Sequence, residues 1–213
     1  MVRLGRDPSK WIKTPDQMQI MASVSKEIET LLHPAIAFNG YGIDGRSHAG
    51  LRLVSGHLLE SPVVSDLFSG AEEIVLMVYT IGSSVEEKVK EYSKRGLIAE
   101  SYYLDMLGSL AVTELGCLAF EKVKNRGIGL KLKTSFPLNP GTSHWPASGQ
   151  KIVLELSGGR ETGVTISESF LLIPTKTISM AIALGKNVLT PEQGSSCHYC
   201  DNPQLCWGSR VRA

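Results

Sequence analysis

The sequence has no excess of charge of either sign. Twenty-two lysines and arginines stand against 21 aspartates and glutamates, a formal net charge of +1. That balance argues against a polyanion as a general partner. No basic stripe with interleaved aromatics occurs, so the usual nucleic-acid footprint is missing. Long apolar runs are missing too. The longest, over residues 178–184, has the length of a strand and not of a bilayer span. The opening MVRLGRDPSKW is too polar for the core of a secretory signal. A cytoplasmic protein outside the membrane is the expectation. No HExxH, Walker loop or dinucleotide fingerprint is present, and no nucleophile–base pair stands out locally. Gly40-Tyr-Gly-Ile-Asp-Gly45 is glycine-rich but lacks the strand–helix context of a nucleotide loop. Cysteine is scarce: there are four, and only Cys117 precedes residue 197.

What is present reads as an ordinary globular chain. Its 213 residues suit one large domain or two small ones, and 42% are apolar. Thr14-Pro15-Asp16-Gln17 combines an N-cap, a proline in the first turn and a capping box, so a helix opens there. Met21, Val24, Ile28 and Leu31 recur at helical spacing behind it. Residues 35–54 suggest turns and one or two strands. Ser61-Pro62 opens a short helix reaching Phe68. Residues 73–79 are a nearly unbroken apolar run rich in β-branched residues, which predicts a buried strand. Ser84 and Glu87 are spaced as a second capping box. Residues 100–124 form the longest helical candidate, apolar around most of its circumference and therefore expected mid-fold. Its Gly108 and Gly116 cost helix stability, so close packing is expected there. Beyond it, strands are expected at 130–133, 152–156 and 177–184, the last half-buried, with a proline–glycine loop over 137–146.

Helices and strands mix without a βαβ rhythm, which predicts an α+β fold with a mostly antiparallel, twisted sheet packed by helices. The expected division is one domain over 1–190 and a cysteine-rich tail over 191–213. In that tail Cys197-His-Tyr-Cys200 and Cys206 place a CxxC before a turn and a third thiol. In a reducing compartment such a cluster reads as a metal or redox site before it reads as disulfides. Three thiolates suit an iron–sulfur cluster, or zinc with a fourth ligand from elsewhere. Cys117 falls in the long helix and reads as packing.

Three ordered segments resemble the activation domain of cobalamin-dependent methionine synthase and its stand-alone relatives. The first is Ala71-Glu-Glu-Ile-Val-Leu-Met-Val-Tyr-Thr-Ile-Gly82 with Leu104-Asp105-Met-Leu-Gly108-Ser109-Leu-Ala-Val112. The second is Asn139-Pro140-Gly141 with Trp145-Pro146 and Gln150. The third is Val164-Thr-Ile-Ser-Glu168-Ser169-Phe170-Leu-Leu-Ile-Pro174-Thr-Lys176-Thr-Ile-Ser179. The tail resembles one found on some stand-alone members. The resemblance implies S-adenosylmethionine as cofactor, with Asn139, Pro140, Gly141, Glu168 and Ser169 as its candidate contacts. It implies a corrinoid protein or cobalamin-dependent methyltransferase as partner, with cobalamin on that partner and a flavodoxin-like electron donor. The implied function is reactivation: cob(II)alamin is reduced by one electron and trapped by methyl transfer, the protein supplying mainly position.

The chain departs from the family at three points. Pro137 stands where the loop's arginine belongs, Thr142 where its tyrosine belongs, and Thr113 where the helix glutamate belongs. Glu114 is one step on, about 100° around a helix. An alternative therefore stands beside the first reading: an iron–sulfur or zinc-bearing electron-transfer or docking protein for corrinoid proteins, without S-adenosylmethionine. Individually, Lys176 reads as a solvated strand-entry residue, His144 as part of a surface turn, and Tyr102 and Tyr103 as core.

Overall fold

The computed structural model describes residues 14–195. Thr14 caps α1 (Pro15–Leu31), with the reciprocal Gln17 bond in place, and Met21, Val24 and Ile28 are buried. The chain then forms β1 (Ala35–Ser47), β2 (Gly50–Leu53), β3 (Leu58–Leu59) and α2 (Pro62–Leu67), which Ser61 caps. β4 (Glu73–Thr80), α3 (Ser84–Lys94) and α4 (Ile98–Gly129) follow. β5 (Lys133–Thr134), α5 (Gly149–Leu156), a 3-10 turn (Gly159–Thr162), β6 (Thr165–Ile166), β7 (Leu172–Ile173) and β8 (Thr177–Gly185) complete the described fold.

The sheet order is β3-β2-β1-β4-β8-β5, and every neighbouring pair is antiparallel. β1 changes partner along its length. Its first half pairs with β4, its second with β2, and the register shifts between Ile43 and Gly45. An irregularity of this kind bends a strand, so the sheet curls. The expected α+β class with an antiparallel twisted sheet is what the chain adopts.

β4 and β8 lie at the centre, covered on both faces. In β4, Ile74, Leu76 and Val78 join Phe68, Leu138, Trp145, Val153 and Leu154 in one core. Val75, Met77 and Tyr79 face the opposite way, onto Leu104, Val112, Ala119 and Val123 of α4. β8 is buried in the same manner and not half-buried as its alternation suggests. Small Ala181 and Ala183 fill its α5 side, which makes that face look polar in sequence although it is packed.

Three further expectations give way. Residues 152–156 are helical, because only one side of α5 meets the sheet: Val153 and Leu154 are buried while Lys151 and Glu155 point outward. A short β-branched run cannot be assigned by periodicity alone. Residues 130–133 do not form a strand. α4 runs to Gly129, and of these four residues only Lys133 pairs with β8, in β5. α3 is capped at Ser83 without a side-chain bond, so the Ser84–Glu87 box does not form.

α4 is the expected central helix, but its apolar surface is only partly covered. Tyr103, Leu104, Met106, Val112, Ala119 and Val123 are buried, whereas Ile98, Tyr102, Leu118 and Ile128 are exposed. Tyr102 is therefore no core residue. By length and composition α4 also qualifies as a membrane-crossing helix, which a search for unbroken apolar runs misses. Its glycines do permit close approach. A Cβ on Gly116 would stand 2.4 Å from the Tyr79 hydroxyl, and one on Gly108 2.9 Å from Val85.

Gly116→Ala is accordingly expected to destabilise the protein by about 1–3 kcal/mol through overpacking. Adding Tyr79→Phe should recover part of that loss in denaturant melts. Equal loss in the single and double variants would contradict the contact.

Candidate functional site

The edge of β8 opposite β4 organises the candidate site. Residues 135–139 continue antiparallel along it beyond β5. Ser135 donates its N–H to the Ala183 carbonyl at 2.9 Å, and its hydroxyl accepts from the Ala183 N–H at 2.9 Å. Leu138 exchanges two backbone bonds with Ala181, at 2.9 and 2.8 Å. The Asn139 side-chain amide then donates to the Ser179 carbonyl at 2.8 Å. Pro140 is buried and Gly141 exposed.

Gly141 has φ +86°, a left-handed geometry that glycine adopts without strain. Its N–H donates to the Trp145 carbonyl at 2.8 Å, closing the turn over 142–145. The Thr142 hydroxyl donates back to the Asn139 carbonyl at 2.8 Å. Trp145 and His144 are buried beneath. His144 is thus no surface-turn residue; its carbonyl accepts from the Ser61 hydroxyl at 2.5 Å.

Glu168 and Ser169 lie elsewhere, at the exposed tip of the β6–β7 hairpin. The Ser169 and Ser167 hydroxyls are 3.0 Å apart, and the Ser167 hydroxyl also accepts the Leu171 N–H at 3.0 Å. Val164 and Leu172 root the hairpin in the core that holds Leu138 and Trp145. Among the described residues no hydrogen bond or ion pair joins Glu168 or Ser169 to Asn139, Pro140 or Gly141. The two segments share a core and remain separate at the surface.

On the other side of the sheet α4 lies over this edge. Gly116 sits on Tyr79, whose ladder partner is Ile178, the neighbour of Ser179. Thr113 is half-buried, and its hydroxyl donates to the Ser109 carbonyl at 2.8 Å. Cys117 donates to the Thr113 carbonyl at 3.3 Å. Burial pushes the Cys117 thiol up, and Glu114 and Glu121 push it the same way, so it stays protonated. Burial likewise holds the Tyr79 phenol well above its usual range, with Cys117 adding to the effect. A neutral thiol beside a neutral phenol is a packing arrangement.

The entry to β8 is a polar clamp that the spacing of the sequence does not reveal. The Lys176 ammonium lies 2.8 Å from both the Asp105 carboxylate and the Ser109 hydroxyl. Its side chain is only 14% exposed, so it is not a solvated strand-entry residue. Glu86 accepts the Thr175 N–H at 2.7 Å and its hydroxyl at 2.6 Å, with Lys90 at 3.2 Å. α3, α4 and the start of β8 are thereby tied together. The signal available in sequence was that Asp105, Ser109 and Lys176 all fall inside the shared motifs.

The fit of S-adenosylmethionine to the 139–141 loop is partial. The loop surface is open at Gly141 and Thr142, but the donors of Asn139, Gly141 and Thr142 are engaged internally. Residues 134–150 contain no lysine or arginine to receive its carboxylate. Among the described residues no cluster of three or more histidine, cysteine, aspartate or glutamate side chains is placed to hold a metal. Cys197, Cys200 and Cys206 lie outside the described residues.

No family model matches the sequence. Comparison with curated proteins finds no match. Among solved structures, the fold is similar to one described as the crystal structure of the MetH reactivation domain bound to AdoHcy. The TM-score is 0.63 at 12% sequence identity. The likeness covers 81% of this chain and 66% of that one, so this chain spans just under two thirds of its length.

The Glu86 contacts carry a pH signature. Burial alone would raise its pKa, but the Thr175 hydroxyl and N–H and the Lys90 ammonium outweigh it, and the carboxyl sits below its ordinary value. A depressed folded-state pKa contributes stability above the unfolded value of about 4.3, and that stability is lost as pH falls through the folded pKa. Glu86→Gln should therefore flatten the acid limb of the stability curve below about pH 4.3. An unchanged acid limb would contradict the clamp.

Proposed function

We propose that this chain is a reactivation component for a corrinoid-dependent methyltransferase, with S-adenosylmethionine as the methyl source. The observation that carries the reading is the shared fold with a reactivation domain, along 81% of the chain. That neighbour is bound to AdoHcy, which is what S-adenosylmethionine becomes once its methyl group has left. The three ordered motifs resemble the activation-domain family of cobalamin-dependent methionine synthase and support the same reading. By the same resemblance Asn139, Pro140 and Gly141 are the proposed ligand contacts, with Glu168 and Ser169 as further candidates on the separate hairpin tip. The corrinoid partner carries the cobalamin, a flavodoxin-like protein supplies the electron, and all act in the cytoplasm. The contribution of this chain is to orient a donor against the partner's cobalt, which is a matter of proximity.

A specific observation favours a second reading. The loop lacks a cation, and a guanidinium fork is the usual grip on a carboxylate. In that reading the fold serves for docking, and Cys197, Cys200 and Cys206 hold an iron–sulfur cluster or zinc in the separate tail over 191–213.

Titration calorimetry on anaerobically purified full-length protein separates the two. The first reading predicts saturable heat with S-adenosylmethionine. The affinity should be about ten- to a hundredfold below that of a site with the charged fork, since such a bond is worth about 1.5–3 kcal/mol. No heat at high micromolar ligand removes the methyl-donor role. Iron and sulfide, or one equivalent of zinc, in the same sample would then support the second reading.

A further inference from the structure

β1 leaves half of one edge unpaired. The Ile81 N–H bonds the Lys176 carbonyl at 3.3 Å, in register with β4 and β8. By strand alternation, Thr80, Val78, Leu76 and Ile74 then direct their backbone groups at β1. Their partners there are Ala35, Ala37, Asn39 and Tyr41. Ile36, Phe38, Gly40 and Gly42 consequently direct N–H and C=O away from β4. The Gly42 carbonyl confirms this parity by accepting the Val54 N–H at 2.9 Å.

β2 covers only the far half of β1, because its pairing begins at Ile43. Among the described residues nothing pairs with the outward backbone groups of Ile36, Phe38 and Gly40. These three residues span about 13 Å of strand. Beside them runs a groove of about 580 Å³ between the β1 edge and the 3-10 turn, lined by Ile36, Phe38, Asn39, Gly158, Glu161 and Thr162 among others. The Asn39 amide holds one wall by donating to the Leu156 carbonyl at 2.9 Å.

We propose that this edge is a docking site for an extended peptide strand of another protein, one carrying a lysine or arginine to meet Glu161. An unsatisfied row of alternating donors and acceptors recognises another extended backbone. The groove has the room for its side chains. Glu161 is the one charged residue in its lining, and no cation accompanies it. The matching groove of a second copy would bring another Glu161 and no cation of its own lining, which disfavours self-pairing. The proposal rests on the backbone ladder and not on S-adenosylmethionine or the corrinoid reading.

The test uses the full chain, isotopically labelled, with a synthetic heptapeptide alternating lysine or threonine with valine. Two controls are its copy N-methylated at alternate residues and a copy with glutamate for lysine. At peptide tenfold above its Kd, the amides of Ile36, Phe38 and Gly40 should exchange with solvent about tenfold more slowly. Those of Ala37 and Asn39, already bonded to β4, should not change. The N-methylated copy should have no effect and the glutamate copy a weaker one, and Glu161→Lys should reverse the charge preference. The proposal is overturned by unchanged exchange at the three amides or by equal protection from the N-methylated copy. A charge preference indifferent to Glu161→Lys overturns it too. Protection that grows with protein concentration alone would give the edge to a second copy instead.

Discussion

The close seating of α4 on the β4–β8 pair is the contact from which the remaining structure takes its positions. β4 and β8 are adjacent, antiparallel and buried on both faces. Only a helix that can approach nearly to backbone distance fits over side chains as large as Tyr79. Gly116 provides that approach at Tyr79, and Gly108 at Val85 and Lys176. Glycine inside a helix costs about 1 kcal/mol relative to alanine. Here the cost is offset by burial of Val75, Met77, Tyr79 and Ile182 beneath the helix. Moving α4 outward would open that core and part Lys176 from Asp105 and Ser109.

Once β8 is fixed, its edge opposite β4 fixes the loop. The backbone exchange between Leu138 and Ala181 and the Asn139–Ser179 bond are made to β8 itself. The proline–glycine turn therefore inherits the rigidity of the sheet centre. Loops placed by a rigid scaffold are where binding commonly resides. The same logic separates the hairpin tip. Glu168 and Ser169 stand on a two-stranded unit outside the main sheet, rooted in the core only through its base.

The sequence showed this architecture unevenly. Capping at Thr14 and Ser61 and the apolar run of β4 were plain, because each has a local physical cause. Residues 152–156 misled, since β-branching favours a strand while the fold offers them one buried face. β8 looked half-buried because Ala181 and Ala183 are small and still packed. The order of three motifs pointed to the fold where no single segment could. The Glu86–Thr175 half of the β8 clamp was invisible, as the two residues meet across 89 positions. The unpaired half of β1 was equally hidden, because an edge is a property of topology and not of composition.

The proposed function requires that the face formed by the loop on β8 meet a corrinoid. Hydrogen exchange of the full chain with and without the corrinoid-binding region of a cobalamin-dependent methionine synthase, loaded with cob(II)alamin, addresses it directly. The account predicts slowed exchange in residues 137–146 and the half-buried turn of α4 above Tyr79. Protection confined to other surfaces, or none at saturating partner, would contradict it.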